Sequence, residues 1–248
     1  MEKELINHLH KLADKYETSS FTDGDPSFVL RRYKSTPETE TAAFIAAMLA
    51  FGNRRQFIPK IELILSTTEK QGLTVYSWIK NGSFKKDFPH SSSKFYRFYS
   101  YDDMHQLFEE LYSIFAQYKS LGNAVQILME QKENQTKPCD ILCSLFPYSR
   151  IVPKGKNSAC KRVHMFLRWM VRKNSPVDLG LWNWIEPADL IIPLDVHVLE
   201  EAKKLGLLTQ NARPDKKAAI ELTKTLSQIF PGDPCRGDFA LFGLGVDN

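Results

Sequence analysis

The sequence predicts an all-α protein, and three observations carry that prediction. Apolar residues recur at helical spacing along most of the 248 residues. The strict alternation of a half-buried strand is nearly absent. Residues that start and stop helices bracket the apolar stretches. The best strand candidate, Leu190-Ile191-Ile192, runs into Pro193, which has no N–H to give to a ladder.

In chain order, residues 2–16 form an amphipathic helix with Leu5, Ile6, Leu9, Leu12 and Ala13 on one stripe. A turn cluster from Ser19 to Pro26 follows, then a short basic helix or extended piece from Phe28 to Tyr33. Thr36 caps the next helix, Pro37 takes its first position, and Glu38 and Glu40 lie in its first turn, where the helix dipole favours acids. Ala43, Phe44, Ala47, Met48 and Phe51 line one face, and Gly52-Asn53 stops the helix. Phe57–Glu69 is a helix with Pro59 in its first turn, and Asp103–Tyr118 turns Leu107, Leu111, Ile114 and Phe115 inward. Shorter helices are expected at 122–131 and Cys139–Phe146, then longer ones at Lys161–Lys173, Val196–Leu205 and Pro214–Phe230. The last, within DFALFGLG, is stopped by Gly243 or Gly245.

Composition narrows the function classes. With 43% apolar residues the chain can build one large core or two small ones. A net charge of +4 is compatible with a polyanion partner without demanding one. No apolar run reaches the about 18 residues of a membrane span, and the N-terminus lacks the apolar segment of a signal peptide, so a cytoplasmic protein with no membrane partner is expected. Cys139, Cys143, Cys160 and Cys235 show no CxxC pairing, which argues against zinc-ribbon and ferredoxin-like sites and for free thiols. Two lobes with a functional cleft between them are expected. One is helical, at 37–132; the other is discontinuous, 1–36 plus 138–248; residues 133–137 are the linker candidate. Within 84–101, Lys85, Lys86, Lys94 and Arg97 interleave with Phe84, Phe88, Phe95, Tyr96, Phe98, Tyr99 and Tyr101. Such a stretch either grips phosphates and stacks on bases or packs its rings inward and turns its cations to water.

Two residues stand out as chemistry. Lys161 opens the apolar run Val163–Val171 after Pro153, Gly155, Asn157 and Ser158, which do not continue a helix. A lysine attacks carbon only as the free amine, and desolvation or a helix N-terminus opposes the ammonium form. Asp195 precedes an apolar helical pattern, where an aspartate is a good N-cap. A carboxylate fixed there is also rigid and ionised, as an electrostatic stabiliser must be. His197, two residues on, reads as a hydrogen-bonded or core histidine or as a base.

These residues carry a resemblance. PLDVHVLEEAKKLGL, Pro193 to Leu207, resembles the aspartate-bearing segment of the helix-hairpin-helix DNA glycosylase superfamily, whose best-known member is endonuclease III. Lys161 followed by Phe166-Leu167-Arg168 looks most like the archaeal 8-oxoguanine DNA glycosylases, among which a long lysine-to-aspartate connection is also known. LIIPLDVHV and GDFALFGLG are also similar to an uncharacterised family found in scattered bacteria. The resemblance implies a two-lobed glycosylase fold and a monomer that binds double-stranded DNA with a damaged base. It implies excision of an oxidised purine such as 8-oxoguanine through a Lys161 Schiff base, with AP-lyase activity. The alternatives are an inactive structure-specific nucleic-acid binder and a monofunctional glycosylase for alkylated bases, with Asp195 activating water. The resemblance places Asn53, Arg54, Arg55 and Gln56 at the gap left by the extruded base, and Lys154, Gly155 and Lys156 at the phosphates. It places His197, Phe239 and Phe242 at the base pocket, with Trp182 and Trp184 either stacking on the flipped base or packing. The family hairpin has two glycines close before its lysine, whereas Gly155 here lies six residues before Lys161. That departure bears on the phosphate grip and on any monovalent cation held by hairpin carbonyls. The cysteine set of the iron–sulfur cluster is missing, so neither cluster nor other metal is expected.

Overall fold

The computed structural model describes residues 3–132 and 136–247, and most of these are helical. In chain order the helices are α1 (Lys3–Tyr16), α2 (Thr36–Leu49), α3 (Arg54–Glu69), α4 (Val75–Lys80) and α5 (Phe84–Asp87). A two-stranded antiparallel hairpin follows, β1 (Lys94–Tyr96) and β2 (Tyr99–Ser100). Then come α6 (Tyr101–Tyr118), α7 (Leu121–Gln131), α8 (Pro138–Ser144), α9 (Lys161–Val171), α10 (Val196–Lys204), α11 (Lys216–Ile229) and α12 (Arg236–Asp247). The strand pair lies in the basic-aromatic stretch, whereas residues 190–194 are extended but unpaired as strand. Pro193 removes one donor there, and the Ile192 N–H goes to the Thr223 hydroxyl, 3.0 Å away. Among the described residues no helix is long and apolar enough to cross a membrane. All four cysteines are buried, and the sulfurs of Cys139, Cys143 and Cys160 lie within 4.8 Å of one another.

The chain divides into two compact units, Gly24–Lys154 and Met1–Asp23 with Gly155–Asn248. One unit is discontinuous, as expected, but residues 24–36 and 138–154 join the other one. The reason is packing: the 3-10 turn Pro26–Arg31 lies against α2, and α8 lies against α7. Of the linker candidate 133–137, residues 133–135 lie outside the described residues. The chain changes unit elsewhere, after Asp23 and after Lys154.

The axis of the middle unit is α2. The sequence suggested one apolar face, yet Thr39 to Leu49 are buried on every side, because α3, α4, α7 and the 3-10 turn all pack on this helix. Glu40 is tolerated in that core because its carboxylate accepts the Gly122 N–H, 3.1 Å away, at the start of α7. An acid there satisfies an orphan donor and the helix dipole together. Thr74 and Ser100 form capping boxes on α4 and α6.

The discontinuous unit packs α12 against α1 and α10. Leu9, Leu12 and Ala13 meet Ile192, Leu194, Val198, Leu199, Leu222, Leu226 and Leu241 in one core. Each such side chain contributes about 1.5–3 kcal/mol by leaving water. Gly243 and Gly245 do not stop the last helix, which runs on to Asp247. A Cβ at Gly243 would overlap the Tyr16 ring, so this glycine lets α1 and α12 approach closely.

Candidate active site

The discontinuous unit holds both singled-out residues. Before α9 the chain makes a tight loop in which Gly155, Lys156 and Cys160 have φ of 75°, 48° and 45°. Only one of the three is glycine, and an L-residue in this region costs about 1–2 kcal/mol. The loop is pinned from outside: the Lys216 N–H donates to the Asn157 carbonyl at 2.9 Å, and Ser158 bridges to Asp215 at the start of α11. Cys160, left-handed and buried, turns the chain into α9, so Lys161 is the first helical residue. The positive end of the helix dipole lies at that residue.

Asp195 is the N-cap of α10. Its Oδ1 accepts the Val198 N–H at 2.9 Å and its Oδ2 accepts from Lys161 Nζ at 2.7 Å. Thus two side chains 34 residues apart meet, each partly shielded, with the lysine 32% and the aspartate 19% exposed. Burial by itself pushes the Asp195 carboxyl up. The Lys161 charge and hydrogen bond, the Val198 N–H and His197 together outweigh it and hold the group below its ordinary range.

A second carboxylate is bound to the helix that carries Lys161. Asp238, buried in the first turn of α12, accepts a hydrogen bond from Arg168 Nη1. Burial pushes its carboxyl up to about 6, even though the Arg168 and Lys161 charges pull it down; the Asp195 charge adds to the rise. The two carboxyls are thus shifted in opposite directions by their surroundings. Arg168 lies two turns beyond Lys161 on the same helix face. It also reaches Asp178, at 3.3 Å. Arg172, one turn further and fully buried, binds Asp178, Asp233 and Glu17, and Arg236 binds Glu17 and Asp14. Sequence reasoning missed Asp238. The available signal was an acid opening the apolar run DFALFGLG, a position that carries charge into a core only with partners.

The remaining candidates fall out differently. Trp182 packs as core: it is fully buried, edge-on to Phe166 and stacked on Trp184 with centroids 5.4 Å apart. Trp184 is half-buried and His197 exposed. Phe239 is fully buried beneath the Arg168 guanidinium, 4.4 Å from its ring, so it offers no face to a base. Phe242 is half-buried against Phe21.

The other candidates fall in the middle unit. The Lys154 amine donates to the carbonyls of Phe146 at 2.6 Å, Pro147 at 3.1 Å and Ser149, so it braces the turn after α8 while the residue remains exposed. Asn53 caps α3 through the Arg55 N–H, 2.9 Å away. Arg54 leans towards Asp25 at 3.5 Å, and Arg55 and Gln56 are exposed.

A family model described as a protein of unknown function, DUF2400, matches residues 25–247. Comparison with curated proteins and with solved structures gave no match.

Proposed function

We propose that this chain, which belongs to the protein family of unknown function DUF2400, is a DNA glycosylase with AP-lyase activity acting on an oxidised purine, 8-oxoguanine first. The observation that carries the reading is the Lys161–Asp195 pair, an amine at one helix start and a capping carboxylate at another, 2.7 Å apart. The reading includes a glycosylase-like helix-hairpin-helix element ending at Lys161, duplex DNA as partner, and a cytoplasmic monomer.

In this mechanism Asp238 takes a proton from the Lys161 ammonium and leaves a free amine. The lone pair attacks the anomeric carbon of an extruded nucleotide and the C1′–N bond breaks, its electron pair leaving with the base. The attacking nitrogen sheds a proton, which neutralises the departing base. Its remaining lone pair opens the sugar ring onto O4′, and O4′ takes back the proton held by Asp238. Asp195 remains ionised throughout and stabilises the positive charge on the sugar and the iminium. Loss of a C2′ proton to solvent then expels the 3′ phosphate by β-elimination.

The test is borohydride trapping on a duplex containing 8-oxoguanine. Reduction of the imine must give a covalent protein–DNA adduct that Lys161→Gln abolishes. No adduct with the native chain, or an undiminished one with the variant, removes Lys161 from the role. One observation favours a second reading, binding without chemistry: the Lys161 amine is engaged by Asp195 instead of standing open. Salt-dependent DNA binding without base release in enzyme excess selects it.

A further inference from the structure

The basic-aromatic stretch 84–101 resolves into two parts. Phe84, Phe88, Phe95, Tyr96 and Tyr99 are buried and belong to the core of the middle unit. Phe98, at the tip of the β1–β2 hairpin, is 62% exposed. Beside it Arg97 has φ of 51°, a conformation an arginine holds only when its surroundings impose it. The surroundings are visible. The Tyr96 hydroxyl donates to the Phe51 carbonyl and ties the hairpin to the turn between α2 and α3. The Arg97 guanidinium lies 5.6 Å from the Phe51 ring centroid and 5.7 Å from that of Phe98. Gly52, with φ of +81°, leaves room for that guanidinium, since a Cβ there would overlap it and sit 3.0 Å from the Tyr96 hydroxyl.

We infer that this hairpin tip, Arg97 together with Phe98, is a platform for an unpaired nucleotide of a DNA strand. Charge and shape both select that occupant. Arg32, Arg54 and Arg150 in this unit have carboxylate partners, whereas among the described residues Arg97 and Arg55 have none. A cation without a carboxylate partner beside an exposed ring matches a phosphate beside a base face. The guanidinium already lies against the Phe51 and Phe98 rings, which lowers the cost of ordering it on binding. A paired base hides both faces in its stack; an unpaired one offers a face to Phe98. The platform lies wholly within residues 24–154 and does not depend on chemistry at Lys161.

The experiment is fluorescence anisotropy of the full chain with a labelled oligothymidylate and with a blunt duplex, over a range of salt. The single strand should bind more tightly than the duplex. Phe98→Ala should weaken single-strand binding by about 5- to 150-fold, the loss expected for one stacked base, and leave the salt dependence unchanged. Phe98→Trp should restore binding. Arg97→Gln should instead flatten the slope of log affinity against log salt by about 0.7, as for one phosphate contact on a single strand. Both side chains lie at an exposed tip, so thermal melts should match the native chain. Equal binding by Phe98→Ala and the native chain overturns the inference. So does Phe98-dependent self-association in sedimentation without strand binding, which would assign the patch to a second copy. Lys161→Gln separates the two ideas. Phe98-dependent binding with no native adduct sinks only the glycosylase reading, and a native adduct with Phe98-independent binding sinks only the platform.

Discussion

Asparagine and alanine at position 195 separate the two roles of that aspartate. Asp195→Asn keeps an oxygen able to accept the Val198 N–H, now 2.9 Å away, and so keeps the cap; it discards only the charge facing Lys161. Asp195→Ala discards both. Loss of an N-cap costs about 1 kcal/mol, so the alanine variant should be less stable than the asparagine one by about that much, roughly 2–4 °C in a melt of a chain this size. The shared loss is that of the ion pair. With Lys161 32% exposed, water re-solvates the abandoned ammonium, and the loss should lie near the about 1 kcal/mol of exposed pairs, well short of the about 3–5 kcal/mol of a fully buried one. The pH dependence has a definite sign. The Asp195 carboxyl is held below its unfolded value of 3.8, so its contribution is present above that pH and disappears as pH falls through the lower folded value. The gap between native chain and Asp195→Asn should therefore close in acid. Urea melts across pH measure all of this, and borohydride trapping measures the chemistry, which should fall about 10²- to 10³-fold in both variants. Identical melts for the two variants, or a full-rate adduct with Asp195→Asn, would refute the reasoning.

Two further outcomes are expected. Adduct formation should rise as pH passes through about 6, where Asp238 ionises and can accept a proton, and Asp238→Asn should remove that limb from the pH–rate profile. Because the Asp238 pKa is raised above the unfolded 3.8, the native chain should also lose stability as pH climbs from 3.8 to about 6, and the variant should lack that decline. Arg172→Met removes one of the two guanidinium partners of both Asp178 and Glu17 in the core, which should cost up to about 3–5 kcal/mol, or at most roughly 6–20 °C by calorimetry.

Most helices were legible because their signals are local. Pro37 with Glu38 at the start of α2, and Asp195 before Val196, act within one turn of chain, where capping and dipole energies operate. The same holds for Lys161 as the first residue of α9. Burial was less legible. Trp182 and Trp184 are the same residue type two positions apart, yet one is fully buried and the other half-buried, because Phe166 of α9 packs on Trp182. That the Lys154 amine binds three backbone carbonyls was not legible either, because the turn they belong to is set by packing after α8. Gly243 looked like a helix stop until the Tyr16 ring, from the far end of the chain, explained its missing Cβ.

By itself, then, the sequence determined a mostly helical chain and where most of its helices begin, Lys161 and Asp195 among those starts. Only the tertiary structure decided that Lys161 and Asp195 lie within hydrogen-bond distance, that Asp238 is buried against Arg168 of the same helix as Lys161, and that of the aromatic stretch Phe98 faces solvent. The physical reason is one of range. Helix starts are decided by donors and acceptors a few residues apart, whereas proximity, desolvation and the resulting proton affinities are decided by which segments, remote along the chain, exclude water from the same place.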